Sequence, residues 1–99
     1  MPLRIERLPQ ASSDLLDIWD YISPNSQKGA TRIIGELYAA FAMLADQPMA
    51  GRERFELGAE LRCFPVMGYI VFYRHDDRVL TLVRILHAAR DITPDLLSE

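Results

Sequence analysis

Apolar positions recur along this chain with two different rhythms, and the change of rhythm marks out its elements. The opening LRIERL alternates, with Leu3 and Ile5 on one face and Arg4 and Glu6 on the other, which predicts a short strand that ends at Pro9. From Ala11 the spacing widens. Leu15, Ile18, Trp19 and Ile22 fall at i, i+3, i+4 and i+7, the signature of an amphipathic helix, with Ser12 or Ser13 as its expected N-cap. Asp14, Asp17 and Asp20 then read as its solvated face, the first two near the favourable end of the helix dipole. The run Ser23-Pro24-Asn25-Ser26 stops this helix, because the residue before a proline avoids the helical region, and supplies caps for a second. In that second helix Ala30, Ile33, Ile34, Leu37, Tyr38, Phe41, Leu44 and Ala45 hold one apolar stripe over four turns. Joined by so short a loop, the two helices form an antiparallel hairpin.

Pro48 and Gly51 break the second helix, and RERFELGAE follows with neither period, a loop with at most one irregular strand. From Leu61 the period is two. LRCFPV, GYIVFYR and VLTLVRIL are three strand-like runs, the last two separated by His75-Asp76-Asp77-Arg78, a short polar hairpin turn. Tyr69, Val71 and Tyr73 share one face of the middle run, opposite Ile70, Phe72 and Arg74. In the last run Leu80, Leu82, Arg84 and Leu86 oppose Val79, Thr81, Val83 and Ile85. The order β-α-α-β-β-β defines an α+β domain, with an N-terminal strand and a helical hairpin packed on an antiparallel sheet. Residues 1–99 are expected to form a single domain, and the tail after His87 a single helical turn before it frays.

Composition narrows the function classes. The longest apolar runs are too short to span a membrane, and the first ten residues lack the apolar core of a signal peptide, which points to the cytoplasm. The lone Cys63 excludes an internal disulfide and a multi-cysteine zinc site. Eleven basic against fourteen acidic residues give a net charge of −3, so the whole-surface footprint expected for nucleic acid is missing. Ten of the eleven basic residues are Arg, the residue suited to bidentate contact with carboxylate or phosphate.

No glycine-rich phosphate loop, nucleophile elbow, H-E-x-x-H or C-x-x-C motif is present, and no cofactor or metal is implied. His75 falls in the predicted turn. His87 closes the last strand beside Arg84 and Arg90, where it either bonds backbone at a strand end or serves as an acid or base. Arg62, Arg74, Arg84 and Arg90 lie on or just after the strands and must pair or meet an anionic partner. They either cradle a phosphate or bridge to Glu56, Glu60, Asp77 and Asp91. Trp19, Tyr38 and Phe41 read as core at helical spacing, Cys63 as a small strand residue, and the three aspartates match no metal loop.

LLDIWDYIS, a long helix ending in ADQPMAGRE, ELRCFPVMGYIVFYR and VRILHAARDI resemble, in order and spacing, the ParE branch of the RelE/ParE toxins of bacterial type II toxin–antitoxin modules. The most specific pieces are FYR at Phe72 to Arg74 and VRILHAARD at Val83 to Asp91, with D-I-W-x-Y at Asp17 to Tyr21 in support. The resemblance implies a toxin held inactive in a hetero-oligomer by a cognate ParD-like antitoxin, with DNA gyrase as target. The RelE branch instead cleaves messenger RNA on the ribosome, and fold alone does not choose between them. Arg84 matches the basic position of a RelE-like last strand, but Gly68-Tyr69-Ile70 and Leu86 stand where other catalytic groups belong, and the lysine-rich loop is missing. The resemblance therefore favours inhibition of gyrase without a catalytic site, growth arrest as its outcome, and no sequence-specific binding of nucleic acid by the toxin alone. In the nuclease alternative Arg84, His87 and Arg74 carry the chemistry. Trp19, Tyr38, Arg62, Tyr69, Tyr73, Arg74, Arg84, His87 and Arg90 are the candidate partner-binding residues, and the tail from Thr93 to Glu99 is a candidate for target contact.

Overall fold

The computed structural model describes residues 1–98. Its elements run β1 (Arg4–Arg7), α1 (Pro9–Ile22), α2 (Gln27–Asp46), a 3-10 turn (Pro48–Ala50), β2 (Arg52–Glu53), β3 (Arg62–Val66), β4 (Tyr69–His75), β5 (Val79–His87) and α3 (Pro94–Leu97). The strands form one sheet in the order β1-β5-β4-β3-β2. Strands β2 to β5 are an antiparallel meander, whereas β1 joins the far edge parallel to β5. The α+β class and the helical hairpin match the sequence reading. The parallel edge pairing does not follow from alternation, which is blind to strand direction.

The hairpin has to cross one face of the sheet, because β1 and β2 occupy opposite edges. Helix α1 begins at Pro9, where a missing N–H costs nothing, and its cap position is Leu8 rather than Ser12 or Ser13. In α2 the expected cap holds: the Ser26 hydroxyl accepts from the Gly29 N–H at 2.9 Å. The faces turned to the sheet bury Ala11, Leu15 and Ile18 of α1 with Leu37, Phe41 and Leu44 of α2 against Val71, Tyr73, Leu80, Leu82 and Ile85. Burying one such Leu or Phe side chain contributes about 1.5–3 kcal/mol.

A second cluster lies elsewhere on the strands, where Phe72, Val83 and Leu86 meet Leu57 and Leu61 of the long loop and Leu97 of α3. The tail therefore packs through Leu97 instead of fraying at once; Glu99 lies outside the described residues. Strict alternation in the last run fails for one reason. Tyr73 pairs with Leu82 and Phe72 with Arg84, leaving Val83 as an extra residue. This bulge reverses the parity of β5, so Leu80 and Leu82 share a cluster with Ile85, and Val83 shares one with Leu86.

Candidate functional site

Strand β1 is shorter than β5 and leaves the second half of β5 without a neighbour on that side. The backbone follows around the corner, with the Leu8 N–H donating to the Leu82 carbonyl at 3.0 Å, and α1 then covers the gap. The group it supplies is Asp14. Its carboxylate accepts the Ile85 N–H at 2.9 Å, standing in for the missing strand. It also accepts from Arg84 Nε and Nη2, each at 2.8 Å, a two-point guanidinium–carboxylate pair. Arg84 Nη1 donates to the Leu96 carbonyl at 3.0 Å, which ties the C-terminal turn to the same junction. The bond to Asp14 raises the Arg84 guanidinium above its ordinary value. Asp14 is only 7% exposed, which corrects its reading as part of a solvated helix face. Arg84 pairs with Asp14, and Arg62 with Glu53, rather than with the acids near them in sequence.

Beside this junction a cleft of about 390 Å³ opens along α1, lined by Asp14, Asp17, Ile18 and Tyr21 of α1, by Tyr69, by Ile85, Leu86 and His87, and by Arg90. Tyr69 is 9% exposed, and burial, reinforced by neighbouring Tyr21, pushes its phenol above the ordinary value of 10.0. The His87 ring stands edge-on to Tyr69 at 5.3 Å, and its Nδ1 accepts the Ala89 N–H at 3.1 Å. A nitrogen that accepts carries no proton, so the neutral ring has its N–H on Nε2. The Arg90 N–H bonds back to the His87 carbonyl at 3.0 Å, a turn that brings this exposed guanidinium to the cleft.

The remaining candidates lie apart from this cleft. Tyr73 is fully buried; its hydroxyl donates to the Pro48 carbonyl at 2.7 Å and accepts the Gly51 N–H at 2.8 Å. Arg62 Nη1 donates to the Gly51 carbonyl at 2.8 Å, so both side chains fasten the turn after α2. Tyr73 thus has no side-chain surface to offer a partner, a correction to its place among the binding candidates. Gly51 is required there, because a Cβ would overlap the Tyr73 hydroxyl. Trp19 and half-exposed Tyr38 line a groove with Leu16, Ile34 and Arg7, whose Nη1 donates to the Tyr38 hydroxyl at 3.0 Å. Tyr38 is therefore not the core residue its spacing suggested. Arg74 lines a separate hollow beside Leu57–Leu61 and the C-terminal turn.

The structure thus brings Tyr69, His87 and Arg90 together, while the triad Arg84, His87 and Arg74 is divided among three surroundings. Asp14, Asp17 and Tyr21 complete the picture and were not singled out as site residues. The available signal was that Asp17 and Tyr21 fall one turn apart on the face of α1 that also carries Ile18. Among the described residues no group of His, Cys, Asp and Glu could hold a metal ion, and no helix is long and apolar enough to cross a membrane.

A helical hairpin laid across one face of a β1-β5-β4-β3-β2 sheet defines a RelE/ParE-like toxin domain. The same fold occurs in a structure titled the chromosomal ParDE TA system from P. aeruginosa, with a TM-score of 0.71 and 16% identity over 86% of this chain and 95% of that one. It occurs again in the toxin–antitoxin complex RelBE2 of Mycobacterium tuberculosis, with a TM-score of 0.61 and 24% identity over 88% of this chain and 99% of that one. At such identities the likeness concerns the fold. Among curated proteins no match is found. The chain belongs to the ParE toxin family of type II toxin–antitoxin systems, whose family model matches residues 5–92.

Proposed function

We propose that the protein is the toxin of a type II toxin–antitoxin pair that acts in the cytoplasm by binding DNA gyrase, and that a ParD-like antitoxin holds it inactive. Family membership supports a toxin with an antitoxin partner. One observation carries the choice of binding over cleavage. Each of the three guanidinium nitrogens of Arg84 already has an acceptor within the chain, in Asp14 and the Leu96 carbonyl. The basic residue that a ribonuclease of this fold would turn to a phosphate is instead part of the scaffold. The test is DNA supercoiling by gyrase with purified toxin: dose-dependent inhibition relieved by the antitoxin is expected, and undisturbed supercoiling at excess toxin refutes the reading.

A second reading, ribosome-dependent cleavage of messenger RNA, draws on the convergence of Tyr69, His87 and Arg90 in one cleft, where an acid–base group and a cation stand together. Its signature is A-site cleavage in a translating extract that disappears with Arg90→Ala. Intact messenger RNA removes it.

A further inference from the structure

The cleft at the open end of β5 has an uneven inventory of polar groups. Three of its side chains offer donors with no hydrogen-bonded partner among the described residues: the Tyr69 hydroxyl, the Tyr21 hydroxyl and the Arg90 guanidinium. A fourth donor, the Nε2–H of His87, follows from the engagement of Nδ1 by Ala89. On the acceptor side the Asp14 carboxylate is matched by Arg84 and the Ile85 N–H, while Asp17 interacts with Arg84 only through space and has no hydrogen-bonded partner among the described residues. Tyr69 is the most buried of these donors as a residue, while its hydroxyl keeps contact with solvent and is open to an incoming acceptor. Buried Ile18 and Ile85 also line the cleft and give it an apolar floor.

We propose that this cleft binds the carboxylate of a Glu or Asp side chain set among apolar residues in a segment of the antitoxin, with Arg90, His87 and the phenols of Tyr69 and Tyr21 as its donors. The identity of the partner rests on the function proposed above; the chemistry of the pocket rests on its own residues. An acidic side chain matches the donors, and apolar neighbours match the floor. The volume, about 390 Å³, suits a few side chains of a peptide and far exceeds a single inorganic anion. Asp17 on the α1 wall repels an anion, so the carboxylate is held at the Arg90 end.

The experiment uses the full chain, isotopically labelled and titrated by NMR with an acetylated, amidated peptide in which one glutamate lies between leucine and phenylalanine residues. Its glutamine counterpart and inorganic phosphate serve as the comparison probes. The glutamate peptide is expected to shift residues around Tyr69, His87 and Arg90, and to bind about tenfold more tightly than the glutamine peptide. Arg90→Gln and Tyr69→Phe each weaken the glutamate peptide several-fold, Asp17→Asn strengthens it, and Arg52→Gln on the opposite edge of the sheet leaves it unchanged. Equal binding of the two peptides, shifts confined to other surfaces, or phosphate binding as tightly as the glutamate peptide each overturns the proposal. Thermal melts of the variants verify the fold. Gyrase plays no part in this titration, so failure here leaves the toxin reading intact, and failure of the supercoiling test leaves the pocket intact.

Discussion

Asp14 and Asp17 stand about one turn apart on α1, and Arg84 and His87 three residues apart on β5, yet the two pairs have opposite fates. Asp14 and Arg84 close on one another around a backbone N–H that lacks a strand partner. Asp17 and His87 instead face a cleft, beside the exposed guanidinium of Arg90. The difference lies in what the neighbouring element provides. Where β1 stops short, an unpaired donor draws a carboxylate inward, and the buried carboxylate then requires the arginine. One turn further on the edge of β5 opens into the cleft, and the polar side chains there have no such closed pair. A closed polar junction and an open one thus adjoin, the first contributing to the fold and the second offering the site proposed above for recognition.

The largest expected effect comes from opening the closed half. Asp14→Ala leaves the Arg84 guanidinium and the Ile85 N–H without their acceptor, and should cost about 3–5 kcal/mol in urea unfolding. Asp17→Ala, one turn along, should change stability by less than about 0.5 kcal/mol. Similar losses at the two aspartates would erase the distinction drawn here.

The next effect concerns the turn after α2, a second closed junction. Gly51→Ala places a methyl group against the Tyr73 hydroxyl and is expected to cost about 1–3 kcal/mol, read as a lower urea midpoint at unchanged slope. Tyr73→Phe removes the donor to Pro48 and the acceptor of Gly51 and should cost a similar amount. If Gly51→Ala is neutral, the packing of this turn has been misread.

The same tyrosine gives a pH dependence whose sign is fixed. Burial raises the Tyr73 phenol above its ordinary value of 10.0, so folding favours the protonated form. Its contribution is present in full below that ordinary value and is lost as the pH rises through the higher folded value. Stability should therefore decline above about pH 10 in the wild type and less steeply in Tyr73→Phe, where raised Tyr69 still contributes. Parallel pH curves for the two proteins would contradict the assignment.

The smallest stability effect belongs to the open half. Arg90→Gln should shift unfolding by no more than about 0.5 kcal/mol, because the exposed guanidinium supports nothing in the fold. A loss of several kcal/mol would move Arg90 into the closed class.

The legible and illegible parts of this molecule divide along the same line. Both helices, the three long strands and the hairpin turn follow from period and punctuation, because each is decided by residues close in sequence. The burial of Asp14 was not legible. Its spacing from Asp17 and Asp20 matched a polar face, and only the length of β1 relative to β5 shows that a backbone donor waits there. The bulge at Val83 was hidden for a related reason, since an extra residue in one strand is defined by its pairing partner. Of the candidate site, His87 and Arg90 were readable as neighbours and Tyr69 as a strand residue. Their meeting with Asp17 and Tyr21 depends on the packing of α1, which no local pattern encodes.

The central claim is that this toxin acts by binding and that Arg84 belongs to the scaffold. Gyrase supercoiling in the presence of the wild type and of an Asp14→Asn/Arg84→Gln pair, which keeps an acceptor for the Ile85 N–H while removing both charges, tests it most directly. The account predicts that both proteins inhibit supercoiling at similar concentrations, provided thermal melts show both folded. Undisturbed supercoiling with excess wild-type toxin, or inhibition lost in a folded pair variant, would contradict it.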